Sequence, residues 1–313
     1  MDWKNRRIDA LLEQALTEDK AASDTTTNLT IDPDLRATGT ILARQELIVA
    51  GLGCTARIFE IFGRLDSRLP AQTRYEVVSH PEIFDGVRVR NGQALAVIRH
   101  NARALLSCER VILNLMQHMS GIATFTRQFA DELQGTKAHV LDTRKTVPGL
   151  RMLDKYAVLC GGGTNHRLDL SDGILIKNNH ISLGRGVEKT LTRALAGRKP
   201  GQRVQIEVRT TTELEDALKY GAEAILLDNM TPEQVKAAVE RIKAEEARRE
   251  ELNPRPLGEK PYWIPTEASG GIVLENVRAY ALAGVDFISV GALTHSAKAA
   301  DISMRITAEQ RHP

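Results

Sequence analysis

From His139 onward the chain repeats one pattern: a short apolar run, a polar or glycine-rich stop, then an amphipathic segment. The runs are "AHVL", "GILI", "VQIEV", "AEAILL", "YWIPTE" and "DFISV". Between them lie "RMLDKYAVLC", "VEKTLTRALAG", "TELEDALKYG", "PEQVKAAVERIKAEEARREEL" and "LENVRAYALAG", whose apolar residues recur at helical spacing. Apolar strands alternating with helices imply parallel strands, because a parallel pair needs a crossover and its faces are covered by the crossover helices. Closed toward a barrel, such a sheet carries its chemistry at the C-terminal strand ends.

The preceding residues differ in texture. Residues 1–20 read as an amphipathic helix, and the helical pattern stops around "ASDTTTNLT". "GTILARQELIVAGLG", "RYEVVSHPEIFDG" and "QALAVIRH" read as a small, mostly antiparallel sheet between Ala37 and His100. From Asn101 the pattern is helical, with Gly121 expected to break it into two helices. The charged run "RIKAEEARREELNPRPLGEK" is expected to be a solvated helix end and loop at the surface. A chain of 313 residues is long for one core, so two domains or a barrel with an appendage are expected.

The net charge of +2 gives no global field for nucleic acid or an anionic membrane, so any anion site must come from local clustering. Cys54, Cys108 and Cys160 are odd in number and form no CxxC pair, which fits reduced thiols in a cytoplasmic protein. No stretch approaches the ~20 apolar residues of a membrane span.

Each expected strand stops in polar residues or glycine. The first ends in Asp142-Thr143-Arg144-Lys145, the second in Lys177-Asn178-Asn179-His180. The next two end at Glu207 and at Asp228-Asn229; the last two at Ser269-Gly270-Gly271 and at Gly291-Ala292, with His295 close behind. One such ending is a capping accident, but six in register imply one shared pocket. Arg144, Lys145, Arg167 and Lys177, with His166, form a cationic group suited to carboxylates or phosphates. Glu207 and Asp228 are either charge partners for these cations or, beside a polyphosphate, ligands for Mg²⁺. The two glycine endings precede helices, where bare backbone N–H groups make phosphate cups. The residues alone lead to anionic small molecules and metal assistance.

At these residues the sequence closely resembles the quinolinate phosphoribosyltransferase family, the carboxylating nicotinate-nucleotide pyrophosphorylases. The matching segments are "ERVILNLMQHMSGIAT", "LDTRKTVPGLRMLDKYAVLCGGGTNHRLDLSDGILIKNNHI", "IEV", "AILLDNM", "EASGGI" and "DFISVGALTHS", spread over residues 109–296. The resemblance implies an α/β fold: an N-terminal α/β sandwich over 1–120, then an incomplete TIM-like barrel over 121–296, with 297–313 packing back on the sandwich. It implies transfer of phosphoribosyl from phosphoribosyl diphosphate to quinolinate with decarboxylation, giving nicotinate mononucleotide, diphosphate and CO₂ in de novo NAD synthesis. The implied assembly is a head-to-tail homodimer, with a hexamer left open. Arg110 would bind a quinolinate carboxylate in the partner's site, and Arg144, His166, Arg167 and Lys177 would complete the cage. Thr143 and Lys145 would line the junction of the substrates. Glu207 and Asp228 would hold Mg²⁺ and the ribose hydroxyls. Ser269, Gly270, Gly291 and Ala292 would grip the 5′-phosphate, with His295 nearby. Lys145, Lys177, Glu207 and Asp228 are the implied catalytic groups.

Arg209 departs from the family pattern after "IEV". By period-two alternation it shares Glu207's face, and it either pairs with that carboxylate or points to solvent. A paralogue acting on another acidic heterocycle and a barrel lyase using Lys145 or Lys177 as a Schiff base are the competing readings, together with a non-catalytic sensor on the same fold. An ordinary Rossmann-type phosphoribosyltransferase is set aside, since "LLDNMTPEQ" has one acid and no phosphate loop.

Overall fold

The computed structural model describes residues 1–66, 75–256, 259 and 261–309. It divides into two compact units, Met1–Arg127 with Thr146–Gly162 and Ala292–Pro313, and Gln128–Lys145 with Gly163–Gly291. In chain order the elements before the first parallel strand are α1 (Arg6–Glu18), α2 (Thr25–Thr30), β1 (Arg36–Ala43), β2 (Leu47–Ile48), α3 (Leu52–Leu65), β3 (Glu76–Val78), β4 (Arg88–Val89), β5 (Ala94–Asn101) and α4 (Ala102–Glu132). Then come β6 (His139–Leu141), α5 (Arg151–Cys160), β7 (Ile174–Ile176), α6 (Asn178–Leu183), α7 (Val187–Gly197), β8 (Val204–Val208), α8 (Thr211–Lys219) and β9 (Ala224–Asp228). The chain continues through α9 (Pro232–Leu252), β10 (Thr266–Ser269), α10 (Leu274–Leu282), β11 (Phe287–Ser289), α11 (Ala292–His295) and β12 (Ile302–Ala308).

The first unit is an α/β sandwich around an antiparallel sheet of order β12-β1-β5-β3. Along β1, buried positions alternate from Ala37 through Gly39 and Ile41 to Ala43, as a sheet with one covered face requires. α1 buries Ile8, Leu12 and Leu16 at four-residue spacing, and α3 buries Ile58, Phe59, Ile61 and Phe62. A Cβ on Gly39 would lie 3.1 Å from Met304 Sδ, so the glycine leaves room for that side chain of the neighbouring β12, while Leu105 Cδ2 of α4 stays at an ordinary contact distance of 3.5 Å. The first helix stops at Glu18, as expected ahead of "ASDTTTNLT", and that stretch then forms a separate short helix, α2. Asp24 Oδ1 accepts from Thr27 N at 3.0 Å, and this cap supports a short α2 despite its threonines.

α4 runs unbroken through Gly121, correcting the expected two helices. The glycine is needed for space: a Cβ there would sit 2.1 Å from Lys298 O and 3.0 Å from Ala299 Cα. All three cysteines are buried and free.

In the second unit the six strands lie in the order β6-β11-β10-β9-β8-β7, and every ladder is parallel. This is an incomplete α/β barrel: among the described residues β6 and β7 form no ladder with each other. Instead Thr164 N donates to Val140 O (2.9 Å) and Asp142 N to Thr164 O (3.2 Å), so a single residue covers the free edge of β6. β10 begins at Thr266, later than "YWIPTE" suggests, because Pro265 has no N–H for the ladder; its carbonyl still accepts from Ile225 N at 2.9 Å.

The charged run on α9 is not simply solvated. Glu245 is 3% exposed, with Arg248 Nη2 and Arg249 Nε at 2.7 and 3.1 Å, and Arg249 also donates to Leu218 O and Ala222 O near the end of α8. Hydrogen bonds from Arg248, opposed by burial and joined by Arg249, hold the Glu245 carboxyl down at about 2. Among the described residues no helix is long and apolar enough to cross a membrane.

Two outcomes follow. Gly121→Ala would ordinarily stabilise a helix interior, but here it should lower unfolding free energy by about 2 kcal/mol or more in urea titration; a stabilised variant would refute the close packing. For Glu245 the folded carboxyl is more acidic than the unfolded one, so its contribution is present above pH 4.5 and fades as pH falls toward about 2. Glu245→Gln should therefore cost about 1 kcal/mol at pH 7 and flatten the acid limb of stability against pH.

Candidate active site

Strand register decides which side chains face one another. Glu207 is level with Leu226, Glu267 with both Leu226 and Phe287, and Ser269 with both Asp228 and Ser289. Alternation then puts Gln205, Glu207, Asp228, Glu267, Ser269 and Ser289 on one face of the sheet. Gln205 Nε2 donates to Glu267 Oε2 at 2.7 Å across the intervening β9, which is possible on the concave face. The opposite face is apolar, with Val204, Ile206, Val208, Ile225, Leu227, Ala268 and Ile288 all buried. A cavity of about 330 Å³ on this face opens at the N-terminal ends of the strands, beside Arg203, Ala224, Pro265 and Phe287, and reaches inward to His166, Arg167, Gln205 and Glu267.

The opening of the site is built from β6. Asp142 is fully buried, and its Oδ1 accepts from His166 N at 2.8 Å, which ties the strand end to the segment covering the free edge. Thr143 Oγ1 accepts from Lys145 N at 3.0 Å and bends the chain, so Arg144 and Lys145 leave the strand in a tight turn. In the first unit Asp154, fully buried on α5, accepts from Val147 N (3.2 Å) and lies 2.7 Å from His118 Nε2, anchoring the loop that follows.

His166 is held on both ring nitrogens. Nδ1 lies 2.7 Å from Arg167 N, which can only donate, so Nδ1 accepts and the ring proton sits on Nε2. Nε2 faces Glu267 Oε2 at 3.4 Å. Burial alone would push the Glu267 carboxyl up, but hydrogen bonds from His166, Ser289 and Gln205 hold it below its ordinary range. His166 thus locks the segment that carries Arg167. Burial first, and then the like charge of Arg144, pull the Arg167 guanidinium below its usual value. Arg144 Nε is buried with no hydrogen-bond partner among the described residues.

Lys177 follows β7 at the N-cap of α6, where its N–H donates to His180 Nδ1 at 2.9 Å while its side chain stays exposed. Asn178 Nδ2 donates to Glu207 Oε1 at 2.8 Å. The Glu207 carboxyl is pushed up, first by burial and then by Asp228. Arg209 resolves the alternative left open by sequence: it pairs with both acids, Nη2 3.6 Å from Glu207 Oε1 and Nε 3.0 Å from Asp228 Oδ2. The side-chain contacts from Asn178, Asn229 and Arg209 all fall on Glu207 Oε1 and Asp228 Oδ2. Two hard oxygen donors with free lone pairs suit a Mg²⁺ that takes its other ligands from phosphate and water. Among the described residues no group of three or more His, Cys, Asp or Glu could enclose a metal alone.

Next to Asp228, Asn229 adopts a left-handed conformation (φ 56°), donates Nδ2 to Asp228 Oδ2 at 2.8 Å and donates N to Ser269 O at 2.8 Å. Gly270 has φ 96°, and a Cβ there would fall 2.3 Å from Asn229 Oδ1, so only glycine fits. Gly291 follows β11 at the same end of the sheet. The sheet thus brings Thr143, Arg144, Lys145, His166, Arg167, Lys177, Glu207, Asp228, Ser269, Gly270 and Gly291 to one end of the second unit. Arg110, exposed on α4, and Ala292 and His295 on α11 belong to the first unit. The supporting residues Asp142, Asn178, His180, Gln205, Asn229 and Glu267 were not singled out from sequence as site residues, although several lie inside the motifs.

Family comparison adds an independent line. The models of the quinolinate phosphoribosyl transferase N-terminal and C-terminal domains match residues 24–120 and 122–305. The chain belongs to the quinolinate phosphoribosyltransferase family. It is 40% identical over 295 residues to the nicotinate-nucleotide pyrophosphorylase [carboxylating] of Mycobacterium leprae, covering 94% of this chain and 95% of that one. It is 38% identical over 312 residues to quinolinate phosphoribosyltransferase [decarboxylating] 1b of Nicotiana tabacum, with 96% and 83% covered. The crystal structure of NadC from Streptococcus pyogenes superposes with a TM-score of 0.86 at 34% identity, covering 99% of this chain and all of that one. The family resemblance read from the "DTRKT…NHR…IKNNH" block is borne out, as is the sandwich-plus-incomplete-barrel fold.

If His166 works by holding Arg167, Glu267→Gln should leave the fold intact by circular dichroism and lower turnover about hundred-fold. An unchanged rate would remove the Glu267–His166 contact from the account.

Proposed function

We propose that the chain transfers phosphoribosyl from phosphoribosyl diphosphate to quinolinate, releasing diphosphate and CO₂ and giving nicotinate mononucleotide for de novo NAD synthesis. The observation that supports this most directly is the pair of crowded guanidiniums: Arg144 has a buried Nε without an acceptor among the described residues, and Arg167 is partly desolvated beside its like charge. Such a pair is relieved by a ligand with two adjacent negative charges, as the vicinal carboxylates of quinolinate provide. Family membership favours this reading over a Schiff-base lyase.

Arg144, Arg167 and Lys177 hold the two carboxylates and aim the pyridine nitrogen at ribose C1, with His166 fixing Arg167 in place. Arg110 completes the cage of a neighbouring subunit in a head-to-tail homodimer, alone or within a hexamer. Lys145, with Thr143, lies at the junction of the two substrates and offsets charge on the departing diphosphate. Glu207 and Asp228 would hold Mg²⁺ and the ribose hydroxyls, and the ion would supply positive charge opposite the leaving diphosphate. Ser269, Gly270, Gly291 and Ala292 grip the 5′-phosphate through backbone N–H groups, with His295 nearby. The C1–O bond to diphosphate breaks as the N–C1 bond forms, and the ring nitrogen becomes cationic. The C2–carboxylate bond then breaks, its electron pair stays on C2 beside that nitrogen, and C2 takes a proton. Three buried, unpaired thiols support a cytoplasmic setting.

Quinolinate, phosphoribosyl diphosphate and Mg²⁺ should together yield CO₂ and nicotinate mononucleotide, with nicotinic acid a poor substitute. Turnover of another aromatic acid in preference would indicate a paralogue's substrate, and borohydride trapping of an adduct would indicate a lyase. Mixing Arg110→Ala with Lys177→Ala protein should restore activity through hybrid dimers; no recovery at any ratio would contradict a shared site.

A further inference from the structure

We propose that Arg209 is a resident counter-ion of the Glu207–Asp228 pair and competes with a divalent cation for those two carboxylates. The proposal rests on the reading of the pair as a metal site, and it concerns what occupies that site beforehand. The two side chains are 10% and 14% exposed, and they come from neighbouring strands on the concave face. Two carboxylates placed so close, with little water, need a positive charge. Arg209 supplies it from the position just beyond β8, bridging one oxygen of each acid.

The geometry suits a placeholder better than a permanent strut. The backbone of Arg209 is fixed, its N–H donating to Glu213 Oε2 at 2.7 Å, and Thr210 caps α8 through Glu213 N at 3.1 Å. The side chain is 52% exposed, so the guanidinium can leave for solvent without a buried cavity opening behind it. The acids, in contrast, are held when Arg209 leaves: Asn178 donates to Glu207 Oε1 and Asn229 to Asp228 Oδ2, each at 2.8 Å. Those amides and the guanidinium share the same two oxygens. An incoming cation can approach each acid from the oxygen that these side chains leave alone, but it meets the positive charge of Arg209 until that side chain swings away. Arg209 thereby raises the concentration of metal needed to fill the site.

The test is Mn²⁺ binding to the whole protein, followed by the electron paramagnetic resonance signal of free Mn²⁺, without substrates. Arg209→Ala should tighten Mn²⁺ binding by about five-fold, the change expected for losing one half-exposed ion-pair partner. Arg209→Lys, which keeps the charge and loses the two-point contact, should fall between. Arg241→Ala removes a cation paired with Glu215 at 2.7 Å and should change Mn²⁺ affinity little. Unchanged or weaker binding in Arg209→Ala, equal tightening in Arg241→Ala, or no binding by any of the proteins would overturn the proposal. Turnover of quinolinate by the wild-type protein is scored separately. Its absence, with the Mn²⁺ pattern intact, would defeat the substrate assignment and leave the counter-ion role standing.

Discussion

The second unit depends on how one free sheet edge is closed. A six-stranded parallel sheet curled toward a barrel leaves β6 with unpaired backbone groups, and these cannot be left bare. The chain meets the need with one residue, Thr164, and locks the solution in place with Asp142 on His166 N and Glu267 on the His166 ring. Closure and chemistry are therefore one structure. The segment that seals the edge also carries Arg167 to the mouth, and the strand it seals ends in Arg144 and Lys145.

Charge is sorted along that mouth. On the side of the seam, Arg144 and Arg167 crowd each other while half-buried, and Arg144 Nε is shut off from water. On the far side, Glu207 and Asp228 crowd each other in the same way, and Arg209 stands between them. Each cluster is unfavourable alone and is relieved by charge of the opposite sign. One substrate with two carboxylates and another with a metal-bound diphosphate would relieve both at once. The site is poorer in stability than a neutral interior would be, and that deficit is what ligands recover.

Much of this was legible because the strand endings fall in register. Period-two alternation on "VQIEV" places Glu207 and Arg209 together, and the glycine after "EAS" marks a position where no Cβ fits beside Asn229. Other features were hidden because they arise from three-dimensional neighbours. Gly121 looks like a helix break until Lys298 O is seen against it. Glu245 looks solvated until its arginines close over it and reach the end of α8. His166 reads as one more cation, but the amide of Arg167 takes its Nδ1, and Glu267 lies across the barrel interior from a strand a hundred residues later. Propensity and spacing carry no information about such partners.

The central claim is that crowded guanidiniums at the sealed edge select a vicinal dicarboxylate. Calorimetric titration of the wild-type protein with quinolinate and with nicotinate tests it directly, since the ligands differ by one carboxylate. Quinolinate should bind at least about ten-fold tighter, with the difference shrinking as salt is raised. Equal affinity for the two acids, at any salt concentration, would contradict it.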